Sequence, residues 1–452
     1  MFLRHDGKGR REVFLGSRSI KCIVYDKNLS PLRKNIRMCP RCGLLVRQGE
    51  AHRRHKSFFE RELQRLPVQG VSRKTESAMR KLWLLLLFPL MACSHQTKQT
   101  EEMAQGDNLM RYAKNISVYE KDYGYRAEVL CPWDTTLSLG TFAFVKDTTK
   151  AVDTDVKGIL HVPVRSVISF SATQWSVFMR LGEIDRVKGI LEGRFVADST
   201  MLSLLAQQKV YDIGTEAAAD VERMIQLKPD ALLYSPYFDG NQGGLNVTGA
   251  VLFPFADYME NTPLGRAEWI RVIGMLAGCE DKADAWFADI ERRYNALSGL
   301  CANVEHRPTV FSDLAFNGQW YVAGGRSYIA KLFADAGADY IWKDNPSTAS
   351  VPMDAESILA KAQKADFWRV INSRNTSMTY ATLAKENPVY PLFDAYKNHR
   401  IIVCDIMQTG YFEQSQCEPD LLLADFIHFF HPELLTGEWA DYQPKYYHFV
   451  DE

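Results

Sequence analysis

LGRAEWIRVIGMLAGCEDKADAWFADIERRYNALSGL, residues 264–300, is the stretch around which the chain is organised. Trp269, Ile273 and Leu276, then Ala285, Trp286, Ile290, Tyr294 and Leu297, recur at helical spacing. Gly278 divides the pattern into a shorter and a longer helix. Glu280 and Asp281 open the second helix, where carboxylates suit the positive end of the helix dipole. A helix of about 20 residues spans roughly 30 Å, long for the crossover between two neighbouring strands. Short apolar runs alternate with helical ones on both sides of it. The stretch therefore reads as a strut between two α/β lobes; the alternative is a surface helix of one large domain.

Charge divides the chain elsewhere. Residues 1–78 hold 19 Lys+Arg against 7 Asp+Glu, which leaves 35 against 48 of the chain's 54 and 55 for residues 79–452. The net charge of -1 is thus the sum of two unlike parts and says nothing about partners. Apolar content of 46% is enough for sizeable cores, and mean hydropathy is -0.23. The break falls at MRKLWLLLLFPLMAC, residues 79–93. Arg80 and Lys81 precede an apolar run, Leu82–Leu90, that is too short for a permanent membrane span and suits a signal peptide. Leu90-Met91-Ala92-Cys93 resembles a bacterial lipobox, with Cys93 as the residue that is lipidated. Residues 94–112 read as a flexible tether.

If Met79 is the true start, residues 1–78 are an untranslated or disordered leader. The alternative there is a small zinc module built from Cys39, Cys42, His52 and His55, with the basic charge directed at nucleic acid. The short loop between the pairs and the lack of an accompanying core weigh against it.

After the tether, Ile116–Tyr119, Tyr125–Val129 and Thr141–Val145 read as a small antiparallel β addition. Strands at Ser166–Ser169, Val187–Ile190, Ala231–Tyr234 and Val251–Pro254 then alternate with helices at Ala172–Leu181, Thr200–Gln208 and Ala218–Leu227. Beyond the strut, strands at Thr309–Phe311, Phe367–Asn372 and Arg400–Cys404 alternate with helices after Gly324-Gly325, at Met353–Ala362, at Leu392–Asn398 and at Leu421–Phe430. This alternation predicts two Rossmann-like lobes with parallel-rich sheets. The expected divisions are 113–277 for the N-terminal lobe, 278–301 for the connecting helix and 302–452 for the C-terminal lobe.

From about Val162 to Leu435 the chain resembles the substrate-binding lipoproteins of iron-siderophore and vitamin B12 ABC importers. The segments that carry the resemblance are SATQWSVFMRLG, VERMIQLKPDALL, YVAGGRSYIAKLFADAGADYIW, MDAESILAKAQKADF and LLLADFIHFFHPELL, in that order. It implies a monomeric receptor in the bacterial periplasm, lipid-anchored to a membrane through Cys93. Such a receptor captures a metal chelate (ferric siderophore, haem or cobalamin) and delivers it to an ABC permease and its ATPase. The family also places one exposed permease-docking Glu on each lobe, here matched to Glu222 and Glu356. The apolar residues Val221, Met224, Ile225 and Leu227, then Ile358 and Leu359, are expected to turn those carboxylates outward; the alternative is that each serves only its own helix dipole.

Ligand in a two-lobe protein sits on loops at the carboxyl ends of the strands. In this sequence those loops offer Arg194, Phe195, Tyr237, Phe238, Trp320, Arg374, Tyr411 and Phe412. Aromatic faces suit a flat or catecholate ligand, and guanidinium suits its acidic groups. The histidines, among them His161, His306, His399, His428 and His431, do not gather on these loops. No intrinsic metal, cofactor or nucleic-acid partner is therefore expected, and the ligand is an iron or cobalt chelate, although Tyr411 with Glu413 keeps direct contact with iron open. No catalytic motif is present, so no catalytic residue is assigned. The enzyme alternative is a chelatase or nitrogenase-like relative acting on a tetrapyrrole. Cys404 and Cys417 flank the last loop and offer a disulfide whose connectivity sequence leaves open.

Overall fold

The computed structural model describes residues 106–452 except 216–217, 237–243 and 375, together with short strands among the first 47 residues. The chain divides into two compact units, Met1–Gln96 and Thr97–Glu452. In the first, Phe2–His5, Arg11–Phe14 and Ile23–Val24 form one small antiparallel sheet, and Ile36–Met38 pairs with Leu45–Arg47. The expected structureless leader thus carries local strand pairing at these positions. Cys39, Cys42, His52, His55 and the whole of residues 79–93, with Cys93, lie outside the described residues.

The second unit begins with the β addition. Strands β1 (Ile116–Lys121), β2 (Gly124–Cys131) and β3 (Asp134–Val145) pair antiparallel. A fourth strand, β4 (Gly158–His161), runs parallel to β3 and was not foreseen, because GILH is too short to show a period. The segment leading into β1 is held by two buried carboxylates. Glu268 accepts hydrogen bonds from the backbone N–H of Arg111, Tyr112 and Ala113 at 2.7–2.8 Å. Glu260 accepts those of Lys114 and Asn115 at 2.8 and 2.9 Å. Five donors that form no strand ladder are satisfied in this way.

The N-terminal lobe is a parallel sheet of β5 (Val167–Ser169), β6 (Val187–Ile190), β7 (Tyr211–Asp212), β8 (Ala231–Tyr234) and β9 (Val251–Pro254), in the order β7-β6-β5-β8-β9. Helices α1 (Ala172–Leu181), α2 (Ser199–Ala206) and α3 (Val221–Leu227) connect the strands. Helix α3 is shorter than expected because Asp220 caps it, its carboxylate accepting from the Arg223 N–H, so Ala218–Ala219 falls outside the helix.

The stretch quoted first folds as α4 (Pro263–Ala267), α5 (Trp269–Ala277) and α6 (Glu280–Leu300). Gly278 ends α5 in the left-handed conformation, φ 72°, which a residue with a side chain adopts only with strain. The buried stripe of α6 is Ala283, Phe287, Ile290, Tyr294 and Leu297, so Phe287 takes the place expected of Trp286, and Ala285 is exposed. This helix packs on α5 and on the last helix of the C-terminal lobe, and it touches both lobes as a strut does.

The C-terminal lobe has strands β10 (Thr309–Ser312), β11 (Asp339–Tyr340), β12 (Phe367–Asn372), β13 (Ile401–Asp405) and β14 (His448–Phe449), in the order β11-β10-β12-β13-β14. All are parallel except β14. Its helices include α7 (Tyr328–Asp335), α8 (Ala355–Ala362), α9 (Tyr411–Gln414) and α10 (Pro419–Phe430). The C-terminal tail is fixed by buried Asp425, which accepts from the backbone N–H of Lys445, Tyr446 and Tyr447 at 2.7–3.0 Å. In each lobe the strand order reverses at the first strand of the sheet, β5 or β10. Crevices form outside the carboxyl ends of strands at such points.

Candidate functional site

A cavity of about 520 Å³ lies where the strand ends of the two lobes face each other. Ser171, Ala172 and Thr173 follow β5, Leu191, Glu192 and Phe195 follow β6, and Ser235 follows β8; from the other lobe, Ile371 and Ser373 come at the end of β12, and Ile406 and Phe412 after β13. The lining is mostly apolar with a few polar groups, the usual character of a small-molecule site. Phe195 and Phe412, 49% and 51% exposed, are held on it without being buried in either core. The N-terminus of α1 opens onto it, with Ser171 as cap and Gln174 completing a capping box. That end of a helix carries partial positive charge.

Among the described residues two charged ones line the cavity, Glu192 and Arg266. Arg194 pairs with Glu192 at 3.0 Å. Arg266, on α4, has a side chain only 12% exposed, and its guanidinium lies over the Tyr328 ring, 4.6 Å from the centroid. Its Nε lies 3.8 Å from Asp257 and has no hydrogen-bond partner among the described residues. Burial pushes the Asp257 carboxyl up to about 6, against the pull of Arg266.

Contacts across the lobes pin the cavity on one side. Glu413, from α9, accepts from the backbone N–H of Ala197 and Asp198 at 2.7 and 3.2 Å. Arg180 of α1 pairs with Glu418 at 2.6 Å, and Gln416 donates to the Arg266 carbonyl at 3.3 Å.

The residues expected from sequence are divided by this geometry. Phe195 and Phe412 line the cavity. Trp320 does not: it is fully buried, donates to the Ser312 and Asp313 carbonyls at 3.2 and 3.0 Å, and packs on Phe311, Trp368, Tyr390 and Phe393. Arg374 is turned to Glu386, which it grips with two contacts of 2.8 Å, and Arg194 to Glu192. Neither arginine is in the lining. Tyr411 is buried beneath the site, its hydroxyl 3.5 Å from Arg369, and Glu413 faces the other lobe rather than the cavity. Tyr237 and Phe238 lie outside the described residues. Arg266 was missed, although it stands in the stretch around which the chain is organised. A single cation between Leu264 and Ala267, on a face otherwise apolar, was the available signal.

Cys404 and Cys417 are buried free thiols, so the bridge that the sequence left open does not form. Burial pushes both up to about 12. Among the described residues no three His, Cys, Asp or Glu side chains gather as metal ligands, and no helix is long and apolar enough to cross a membrane. Glu222 and Glu356 are exposed in the first turns of α3 and α8, with no ion-pair partner among the described residues. Met224 and Ile358 provide the buried faces of those helices, while Ile225 is 43% exposed rather than buried as expected.

A family model described as periplasmic binding protein matches residues 172–406. An uncharacterized lipoprotein of Methanocaldococcus jannaschii is 28% identical over 301 residues, 64% of this chain and 70% of the relative. A second uncharacterized lipoprotein of that organism is 26% identical over 402 residues, 82% of this chain and 99% of the relative. Among solved structures, CeuE of Helicobacter pylori matches with a TM-score of 0.49 at 17% identity, over 64% of this chain and 89% of that one. A periplasmic haem-binding protein of Pseudomonas aeruginosa matches with a TM-score of 0.48 at 16% identity, over 64% and 99%.

Proposed function

Starting from the chain's membership of the periplasmic binding protein family, whose model covers just over half of it, we propose that it captures a metal chelate between its lobes and hands it to an ABC permease. Proteins of this family bind ligands and do not transform them, which leaves the chelatase alternative without support. The observation that carries the reading is the cavity itself: about 520 Å³, mostly apolar, edged by two half-exposed phenylalanines and fed by strand ends from both lobes. Such a lining suits an organic chelate (ferric siderophore, haem or cobalamin) better than a bare ion, which needs a cluster of carboxylates and imidazoles.

Lipoprotein relatives and the MRKLWLLLLFPLMAC segment support an extracytoplasmic protein anchored through Cys93. Glu222 and Glu356, one on each lobe, are the proposed docking residues for the permease. Thermal-shift and tryptophan-fluorescence titration with a ferric tricatecholate, haemin and cyanocobalamin tests the capture step. Ligand that binds only the folded state raises its melting temperature by mass action. A shift with at least one chelate is expected, and no shift with any of them contradicts the reading. Glu222→Arg and Glu356→Arg are each expected to abolish uptake while leaving chelate affinity unchanged, because like charges juxtaposed at an interface cost several kcal/mol. Normal uptake by either variant removes that residue from the docking surface.

A further inference from the structure

Arg266 separates the cavity from a buried carboxylate. It lines the cavity beside the N-terminal turn of α1, and behind it, at 3.8 Å and without a hydrogen bond, stands Asp257. Among the described residues Asp257 has no other ion-pair partner. We propose that the cavity selects chelates that carry an anionic group, that this group docks on Arg266, and that Asp257 takes up a proton as it docks. The inference rests on the chelate reading above and narrows its substrate class.

The electrostatics of the lining point one way. Glu192 is held by Arg194, so among the described residues the cation left facing a ligand is the Arg266 guanidinium, whose carboxylate partner Asp257 stands 3.8 Å behind it, beside the capped, positive end of α1. Once a ligand anion occupies the guanidinium, two carboxylate-like groups share one cation, and one of them is buried. A buried carboxylate that loses its counter-charge neutralises rather than stay ionised.

Besides Arg266, hydrogen bonds from the Tyr258 backbone and the Thr173 hydroxyl favour the charged form of Asp257, but among the described residues no second cation does. The Thr173 hydroxyl donates to it at 3.4 Å. Glu260 is an anion already engaged by Lys114, Asn115 and Trp269. Cys417 is a buried thiol, and Tyr328 and Tyr411 stand near Arg266. The unliganded carboxyl, raised by burial to about 6, is already close to the point of protonation. The sign follows: docking raises that value further, so between about 6 and the raised value, affinity falls as pH rises, by up to about tenfold per pH unit. Below about 6 the carboxyl is protonated in both states and the dependence vanishes.

The test is calorimetric titration of the full-length protein between pH 5.5 and 8.5, in buffers of differing ionisation enthalpy. The probes are a ferric tricatecholate and haemin as anionic chelates, with a neutral ferric trihydroxamate and cyanocobalamin beside them. An anionic chelate is expected to bind at least about tenfold more tightly than either neutral one and to take up a proton near pH 7.5. Asp257→Asn, which imitates the protonated carboxyl, is expected to bind that chelate more tightly than wild type at pH 8, with no proton uptake and a flat pH profile. Arg266→Gln is expected to lose the preference for anionic chelates. If Asp257→Asn does not fold, Thr173→Val supplies the same readout: without the hydroxyl that favours the charged form, the pH profile moves upward. Equal or tighter binding of a neutral chelate overturns the inference and leaves the chelate reading intact, as does an anionic chelate bound without proton uptake or with an unchanged profile in these variants. Failure of all four chelates to bind overturns both.

Discussion

Two buried arginines, one in the core of the C-terminal lobe and one at the wall of the cleft, show how the same side chain serves different ends. Arg369, 7% exposed, has its guanidinium enclosed: it donates to Asp313 at 2.9 Å, to the Tyr447 hydroxyl at 2.8 Å and reaches the Tyr411 hydroxyl at 3.5 Å. Arg266 is nearly as buried, but its one counter-charge is at 3.8 Å and its Nε has no hydrogen-bond partner among the described residues. A buried ion stabilises a fold only when its hydrogen bonds are complete. Arg369 therefore reads as a structural residue that joins β12 to the C-terminal tail, and Arg266 as a residue prepared for something the cavity receives.

The largest effects are expected on the structural side. Arg369→Met leaves Asp313 without its cation and is expected to cost about 3–5 kcal/mol of stability, read from urea unfolding. Trp320→Ala removes a fully buried indole and is expected to cost about 3–5 kcal/mol while leaving chelate affinity unchanged, so a loss of affinity at full stability would return Trp320 to the site. Arg266→Gln is expected to cost less, about 1–2 kcal/mol at pH 7 and less at pH 5, because the pair it breaks lacks hydrogen bonds and Asp257 can be neutralised. A cost equal to that of Arg369→Met would erase the contrast.

The smallest effect concerns pH. The Asp257 carboxyl, held near 6 in the folded protein and at the ordinary carboxylate value when unfolded, binds its proton more readily in the native state. Stability should therefore rise as pH falls from 7 to 5, by about 1 kcal/mol from this group, and Asp257→Asn should remove that share of the slope.

The scaffold was legible because it depends on local patterns. Val187–Ile190, Ala231–Tyr234 and Phe367–Asn372 are short β-forming runs between turn residues, and each is a strand with those bounds. The site was less legible because it depends on which side chain finds a partner elsewhere. Arg374 looked available until the fold brought Glu386 to it. Arg194 was committed within its own loop, and Glu192, two residues away, was visible as its partner. Trp320 follows a tight turn in a strand where Trp320 and Val322 point inward and Tyr321 outward. That two-residue period was present in QWYV, but it was outweighed by the position of the loop after a strand. Arg266 sits on a helix whose pattern reports its apolar face and gives no sign of what the single cation on it meets.

The central claim is that ligand binds between the lobes, against Arg266. Anomalous scattering from the metal in crystals grown with whichever chelate gives the larger thermal shift tests it most directly. The account expects the metal peak inside the space bounded by Ser171, Phe195, Arg266 and Phe412, with an acidic group of the chelate on the guanidinium. A peak elsewhere on the protein, with this cavity filled only by solvent, would contradict it.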